Sequence, residues 1–481
     1  MYDAAIIGCG VIGAAAAYEL SKYQLSAVIL EKENDVACGT TKANSAIVHA
    51  GYDPVPGTKM ARLNVQGSKM MEGLCKQLSV DYKQIGSLVL AFDEADMQTV
   101  RELYGRGLEN GVERMQILTK EQVLRMEPNL SPDVVGALYA PTAGIVNPWG
   151  LAIALAETAV SNGVQLHRNA EVTKIAWTDG YYHLETTAGP FDAKYVVNAA
   201  GTHSGEVSDM AVKPFFRVVP VKGEYYLMDK SQGSLVNHVI FQPPKEDGKG
   251  VLISPTVHGN LIVGPTADVT DSPDDTAVTS EGLQKVMNTA LRSSKQVNFR
   301  ESIRNFAGVR AATEQDDFIL EASAPHFINA AAIKSPGLSS APAIALEIAG
   351  LLEQNGLALK KKEHFNGTRS HRLFRDMTPE EQQDALRRDR RYGRVICRCE
   401  TITEGDILQA IHSPIPPVSI DGIKRRCNAG MGRCQGGFCG PRVHEILSRE
   451  TGMSMEEVCQ DRSGSYILTG KTKEPKEGNQ G

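Results

Sequence analysis

Three groups of residues in this 481-residue chain have the types and spacing to do chemistry. The first is Gly8-Cys9-Gly10-Val11-Ile12-Gly13, set between an apolar run, Ala4–Ile7, and a small-residue stretch, Ala14–Leu20. A glycine turn there brings backbone amides against a pyrophosphate. Gly8 permits the tight turn, Gly10 the approach of the phosphates, and Gly13 close helix–strand packing. The second group is thiols: Cys397-Arg398-Cys399 and, later, Cys434-Gln435-Gly436-Gly437-Phe438-Cys439. Four thiolates in two pairs hold either a tetrahedral zinc or an iron–sulfur cluster. A CxC pair is tight for zinc, and the glycines at 430, 432, 436, 437 and 440 leave amides to donate to cluster sulfides, so the spacing favours iron and sulfur. The third is His49, in the run Lys42 to Tyr52, whose first half is small and polar and suits a backbone lying against a flat ligand. Beside Ile47 and Val48, a lone histidine is more often a core group than a proton acceptor.

These groups need elements to position them. Ala4–Ile7 reads as a buried strand, Ala14–Leu20 as a helix and Ser26–Leu30 as a second strand ending in Glu31, whose carboxylate can accept from a ribose hydroxyl. The helix N-terminus adds partial positive charge for phosphate. The motif by itself does not choose between NAD and FAD. Helical periodicity covers 60–78 and 97–111, around a strand at Gly86–Phe92, and Asn147-Pro148 opens a helix from Trp149 to about Ser161. Short apolar runs at Val164–Leu166, Ala170–Ile175 and Tyr195–Gly201 return the chain to the first domain, which is therefore discontinuous. From Val218 to about Arg300 the pattern is alternating and bounded by Gly, Pro and Asn, as in an antiparallel sheet. Such a sheet would cover the reactive end of a cofactor and admit substrate between the two layers. Phe327–Ala332 reads as a last strand, followed by a loop Lys334–Pro342 and a helix Ala343–Leu352, a second helix N-terminus suited to negative charge.

Composition narrows the classes. The length calls for two or three domains. A net charge of −6 gives no reason to expect nucleic acid or an anionic membrane as partner. No apolar run reaches spanning length, and the chain enters a strand at once, so no transmembrane segment and a cytoplasmic location are expected. Six of nine cysteines fall after residue 396, which in a chain without a secretory signal points to a metal centre rather than disulfides. Cys427 receives no role from the spacing and reads as a buried structural thiol. The tail from Lys471 has the composition of a disordered segment.

Residues 1 to about 355 resemble the FAD-dependent glycerol-3-phosphate oxidase/dehydrogenase proteins of the D-amino-acid-oxidase-like flavoprotein superfamily, and within it the short mycoplasmal-type glycerophosphate oxidases. Ala43-Asn44-Ser45 through His49-Ala50-Gly51, Gly248-Lys249-Gly250-Val251, Gly264-Pro265-Thr266-Ala267, Phe306-Ala307-Gly308-Val309-Arg310 and Lys334-Ser335-Pro336-Gly337-Leu338 carry the likeness. Residues 393 to about 460 are similar to the bacterioferritin-associated-ferredoxin-like [2Fe–2S] domain, on Gly430-Met431-Gly432-Arg433-Cys434-Gln435-Gly436. The His-Ala-Gly element also resembles L-2-hydroxyglutarate dehydrogenases. The large subunit of anaerobic glycerol-3-phosphate dehydrogenase, which ends in the same cluster domain, differs at His49–Tyr52.

The resemblance implies an α/β fold: a discontinuous Rossmann-like FAD-binding domain (1–80, 145–215 and 305–355), an inserted antiparallel-sheet substrate domain (81–144 and 216–304), a linker (356–392), a small helical [2Fe–2S] domain (393–460) and a tail (461–481). It implies FAD held by Gly8, Gly10, Val11, Ile12, Gly13, Glu31, Lys32, Thr40, Thr41, Asn44, Ser45, Val172, Ala200, Gly201, Gly337, Leu338 and Ser339, and a [2Fe–2S] cluster on Cys397, Cys399, Cys434 and Cys439. It implies oxidation of sn-glycerol 3-phosphate to dihydroxyacetone phosphate, with His49 as base and Arg310, Lys249, Ser335 and Ser45 around an anionic substrate. Electrons would leave through the cluster to a redox partner subunit or acceptor protein. The other readings are an L-2-hydroxy acid or a secondary amine as substrate, or a non-catalytic electron-transfer subunit.

Overall fold

The computed structural model describes residues 1–244, 250–470 and 473, and divides into two units: Met1–Lys32 with Val36–His371, and Glu33–Asp35 with Arg372 onward. Lys249 and nearly all of the tail from Lys471 fall outside the described residues.

In the first unit the strand Tyr2–Ile7 forms because four consecutive apolar residues, Ala4–Ile7, can all be buried in a parallel sheet. It pairs in parallel with Ala27–Leu30 on one side and with the long strand Gly189–Asn198 on the other. Gln165–His167 and Phe327–Ala331 extend the parallel set, and the hairpin Val172–Thr178/Tyr181–Thr186 and Ile319–Ala324 complete eight strands. Strands from residue 2, residue 189 and residue 327 thus lie side by side, so this layer is discontinuous in sequence. Val11–Leu20 is buried nearly all round because it packs against two other apolar helices, Pro148–Ser161 and Gly337–Gln354.

A nine-stranded sheet takes up Ser87–Ala91, Gln116–Thr119 and Gly136–Ala140 together with the later strands, among them Val219–Met228, Leu252–Pro255, Leu261–Gly264 and Ser302–Ala312. It is not wholly antiparallel: Val239–Phe241 runs parallel to Ser87–Val89. The region 218–300 also holds a helix, Ser280–Ser293, where the sequence pattern reads only as sheet. Its N-terminus is held by Glu224, which accepts from the Thr279 amide at 2.7 Å and the Thr279 hydroxyl at 2.9 Å. The helix Gly337–Gln354 starts six residues before the expected Ala343 and includes Pro342. So early in a helix the ring removes one internal bond, and the Ser340 amide and hydroxyl, both donating to the Pro336 carbonyl, hold the first turn.

The second unit is small and helical. Glu404–Ile411, Ile420–Cys427 and Gly440–Thr451 bury Ile407, Leu408, Ile411, Ile423, Ile446 and Leu447 in one core beside a two-stranded ribbon, Val395–Cys397/Ile402–Thr403. The stretch 356–392, expected to be a linker, contains a helix at Pro379–Arg388 with a Thr378/Glu381 capping box. No helix among the described residues is long and apolar enough to cross a membrane.

Candidate active site and thiol cluster

The glycine turn has the close approaches expected of its residues. Gly8 sits at φ +94°, and a Cβ on Gly13 would stand 2.0 Å from the Gly8 carbonyl oxygen, so neither position tolerates a side chain. Gly10 caps Val11–Leu20 without a side-chain acceptor of its own. Instead, the Val11 amide donates to Thr41 Oγ1 at 2.9 Å and the Cys9 amide to Glu31 Oε2 at 2.6 Å. Thr41 and Glu31 therefore face the helix N-terminus. Thr40 donates to the Val309 carbonyl at 2.5 Å, and Asn44 Nδ2 donates to the carbonyls of Thr40 and Thr41.

That last group is pinned by Gly308. A Cβ there would lie 1.9 Å from the Ala43 carbonyl oxygen, so the strand Ser302–Ala312 crosses the 40–44 segment backbone to backbone. Arg310 follows on the same strand, paired with Val221, its guanidinium folded over Gly223, where a Cβ would meet Nη2 at 2.8 Å. Ala200 and Gly201 form the turn after Gly189–Asn198, with Gly201 at φ +60°. Val172 opens its strand, buried, and Lys32 Nζ lies 2.9 Å from His203 Nε2 and 3.5 Å from Asp274.

His49 is fixed from three sides. Its amide donates to Ser339 Oγ at 2.8 Å, and its carbonyl accepts from Asn64 Nδ2 at 2.7 Å. Its ring stacks on Phe241, centroids 5.7 Å apart at 27°, and Nε2 lies 3.2 Å from Ser335 Oγ. Helix packing sets these partners: Asn64 lies on Lys59–Gln77, which crosses Gly337–Gln354 so closely that a Cβ on Gly67 would be 2.2 Å from the Ser339 carbonyl oxygen. Ser45 Oγ is 3.1 Å from the hydroxyl of Tyr225, which is buried and stacked on Phe306 at 4.8 Å. An imidazole in this frame can take a proton from an alcohol bound beside Ser335. Phe241, Asn64, Tyr225 and Phe306 were not among the candidates read from sequence.

In the second unit Cys397 Sγ and Cys399 Sγ are 3.8 Å apart. Cys397 also shares a hydrogen bond with Cys439, which drives its pKa down to about 5, and Cys399 shares one with Cys434. The amides of Phe438 and Gly436 donate to Cys434 and hold its thiol below the ordinary value. A Cβ on Gly432 would stand 2.4 Å from Cys399 Sγ, so the loop backbone is shaped around that sulfur. Among the described residues no three metal-ligating side chains converge on one ion. The four thiols are linked in the order Cys439, Cys397, Cys399, Cys434, and four thiolates are the ligand set of a two-iron cluster. Cys427 is buried, bonds the Ile423 carbonyl, and has its pKa pushed up to about 12 by burial. It behaves as a structural thiol.

Comparison with known proteins adds four findings. Residues 3–351 match the family model "FAD dependent oxidoreductase", and residues 395–449 match "BFD-like [2Fe-2S] binding domain". A glycerol 3-phosphate dehydrogenase of Caloramator mitchellensis is 51% identical over 478 residues, covering 98% of this chain and 99% of its own. The structure of dithionite-reduced L-α-glycerophosphate oxidase from Mycoplasma pneumoniae with FAD bound is similar with a TM-score of 0.73 at 33% identity, over 77% of this chain and 99% of that one. An L-2-hydroxyglutarate dehydrogenase of Escherichia coli is 29% identical over 61% of this chain and 73% of its own.

Proposed function

We propose a substrate and an exit route for electrons from one premise: the chain belongs to the FAD dependent oxidoreductase family and also carries a [2Fe–2S] domain. The substrate is sn-glycerol 3-phosphate, oxidised at C2 to dihydroxyacetone phosphate. The observation that carries this reading is the likeness to a glycerol 3-phosphate dehydrogenase across both units of the chain.

FAD fits the first unit's glycine cradle. Gly8, Gly10, Val11, Ile12 and Gly13 would face the pyrophosphate, Glu31 and Lys32 the ribose, Val172, Ala200 and Gly201 the adenosine half, and Thr40, Thr41, Asn44, Ser45 and the helix start Gly337-Leu338-Ser339 the ring. When bound, the flavin supplies an acceptor for the hydride from C2. The chain's part is acid–base and positional. His49 Nε2 takes the C2 hydroxyl proton, Ser335 and Ser45 orient that hydroxyl, and Arg310 with Lys249 neutralises the phosphate. Cys397, Cys399, Cys434 and Cys439 would hold the cluster, which gives the electron pair a way out, one electron at a time, to a protein acceptor. Thiolate ligands persist in a reducing compartment, which agrees with a cytoplasmic location.

The likeness to L-2-hydroxyglutarate dehydrogenases supports a second reading, in which a hydroxy-acid carboxylate replaces the phosphate at Arg310. Anaerobic titration of the holoprotein, followed by its visible spectrum, decides between them. Glycerol 3-phosphate is expected to bleach the flavin band while 2-hydroxyglutarate leaves it unchanged; the opposite pattern rejects the phosphate.

A further inference from the structure

The second unit presents a surface that neither the family nor the proposed chemistry assigns. Phe438 is 85% exposed, the most exposed large apolar residue of the described chain. It is held in place by its own amide, which donates to Cys434, and it immediately precedes Cys439. A single exposed apolar side chain is ordinary on a soluble protein; this one is singled out by its place between Cys434, which its amide bonds, and Cys439. Arginines flank the thiols in sequence. In the two segments that carry the four thiols, 396–401 and 431–442, every exposed charged side chain is an arginine: Arg398, Arg433 and Arg442. The single acid, Glu400, is buried and bonded to Arg375 at 2.9 Å. Arg442 is engaged by Glu445, while Arg398 lies between Cys397 and the exposed Cys399.

An exposed aromatic whose amide bonds Cys434, with Arg398 and Arg433 each beside a thiol of the hydrogen-bonded Cys399/Cys434 pair, has the make-up of a small electron-transfer contact. Such encounters bury less than about 1,200 Å², draw their partners in by complementary charge, and rest on one or two aromatic or arginine anchors. We propose that the face formed by Arg398, Cys399, Arg433 and Phe438 docks a small acidic electron-carrier protein. It rests on the reading that electrons leave through the cluster. Each encounter passes one electron from the reduced cluster to the carrier, oxidising the one and reducing the other. Two encounters remove the pair from each substrate, and the two hydrogens lost from substrate go to solvent as protons.

Binding tests this without turnover. The oxidised holoprotein, with FAD and cluster loaded, is titrated by calorimetry with an oxidised, acidic [2Fe–2S] ferredoxin at low ionic strength. Saturable binding is expected, weakened by added salt. Phe438→Ala and Arg398→Glu should each raise Kd at least ten-fold, and Phe438→Tyr should restore it. The visible spectrum reports whether each variant keeps its cluster. Should Arg398→Glu lose it, Phe438→Ala decides alone, because an exposed ring can be removed without disturbing the core. Wild-type affinity in Phe438→Ala, or no binding by the intact wild type, overturns the proposal. The electron route is read separately. If substrate bleaches the flavin while the cluster stays oxidised, that route fails and the binding result stands by itself.

Discussion

His49 illustrates what a single residue owes to its surroundings. Its sequence neighbours Ile47 and Val48 by themselves favour a core histidine. What favours the proposed role as base is a set of contacts from distant residues: Ser339 and Asn64 on its backbone, Phe241 against its ring, Ser335 at Nε2. His49→Gln keeps a similar volume and loses the titrating nitrogen. It should slow flavin reduction by glycerol 3-phosphate by about 10²–10⁴-fold while FAD absorbance is retained. Stopped-flow reduction at wild-type rate would remove His49 from the chemistry. The glycine turn and the paired cysteines are legible in sequence because each is a local string, whereas the role of His49 is read only through the family resemblance. Phe241, Tyr225 and Asn64 are not legible, because an aromatic or amide in a strand or helix looks like any core residue until the sheet brings it to the site.

Elements were legible where their apolar face is wide. Val11–Leu20 and Lys59–Gln77 announce themselves by composition and period. Ser280–Ser293 does not, because its buried stripe is Gly282, Val286, Ala290 and Ser293, four small residues with little hydrophobic signal. The crossing of Ser302–Ala312 over residues 40–44 was equally hidden. A glycine in a strand shows that something approaches closely, but not what. The structure supplies the partner, the Ala43 carbonyl oxygen, 1.9 Å from where a Cβ on Gly308 would sit. Gly308→Ala must therefore push the strand away from Thr40–Asn44. Overpacking of this kind costs about 1–3 kcal/mol. Because the displaced segment is the one assigned to the flavin ring, FAD should be lost on gel filtration more readily than from wild type, and thermal unfolding should begin lower. A variant that keeps full flavin content and an unchanged melting profile would show that the crossing is loose.

At the scale of the whole chain, the least legible feature is the route of the backbone. Glu33–Asp35 follow the acid-ended strand of the first unit, yet belong to the second. There Asp35 is fully buried and accepts from Arg426 Nη1 at 2.7 Å, Arg426 Nη2 at 2.8 Å and Arg425 Nη2 at 3.2 Å; Arg425 also reaches Asp461 at 2.7 Å. Nearly four hundred residues separate these arginines from the acid that neutralises them, so nothing local marks the pairing. Removing one partner of such a group is far more damaging than replacing all of it, because the charges left behind stay buried. Asp35→Ala leaves the buried Arg426 without a carboxylate and Arg425 with Asp461 alone, and should destabilise the cluster-bearing unit by about 3–5 kcal/mol. Loss of the cluster's visible absorbance on heating should then come well before the change in flavin fluorescence. Adding Arg425→Met and Arg426→Met to the same variant removes the stranded charges and should recover much of that loss. If Asp35→Ala melts like wild type, the carboxylate is not compensating the arginine pair; if the triple variant fares no better than the single one, the damage comes from the loop's lost packing rather than from uncompensated charge.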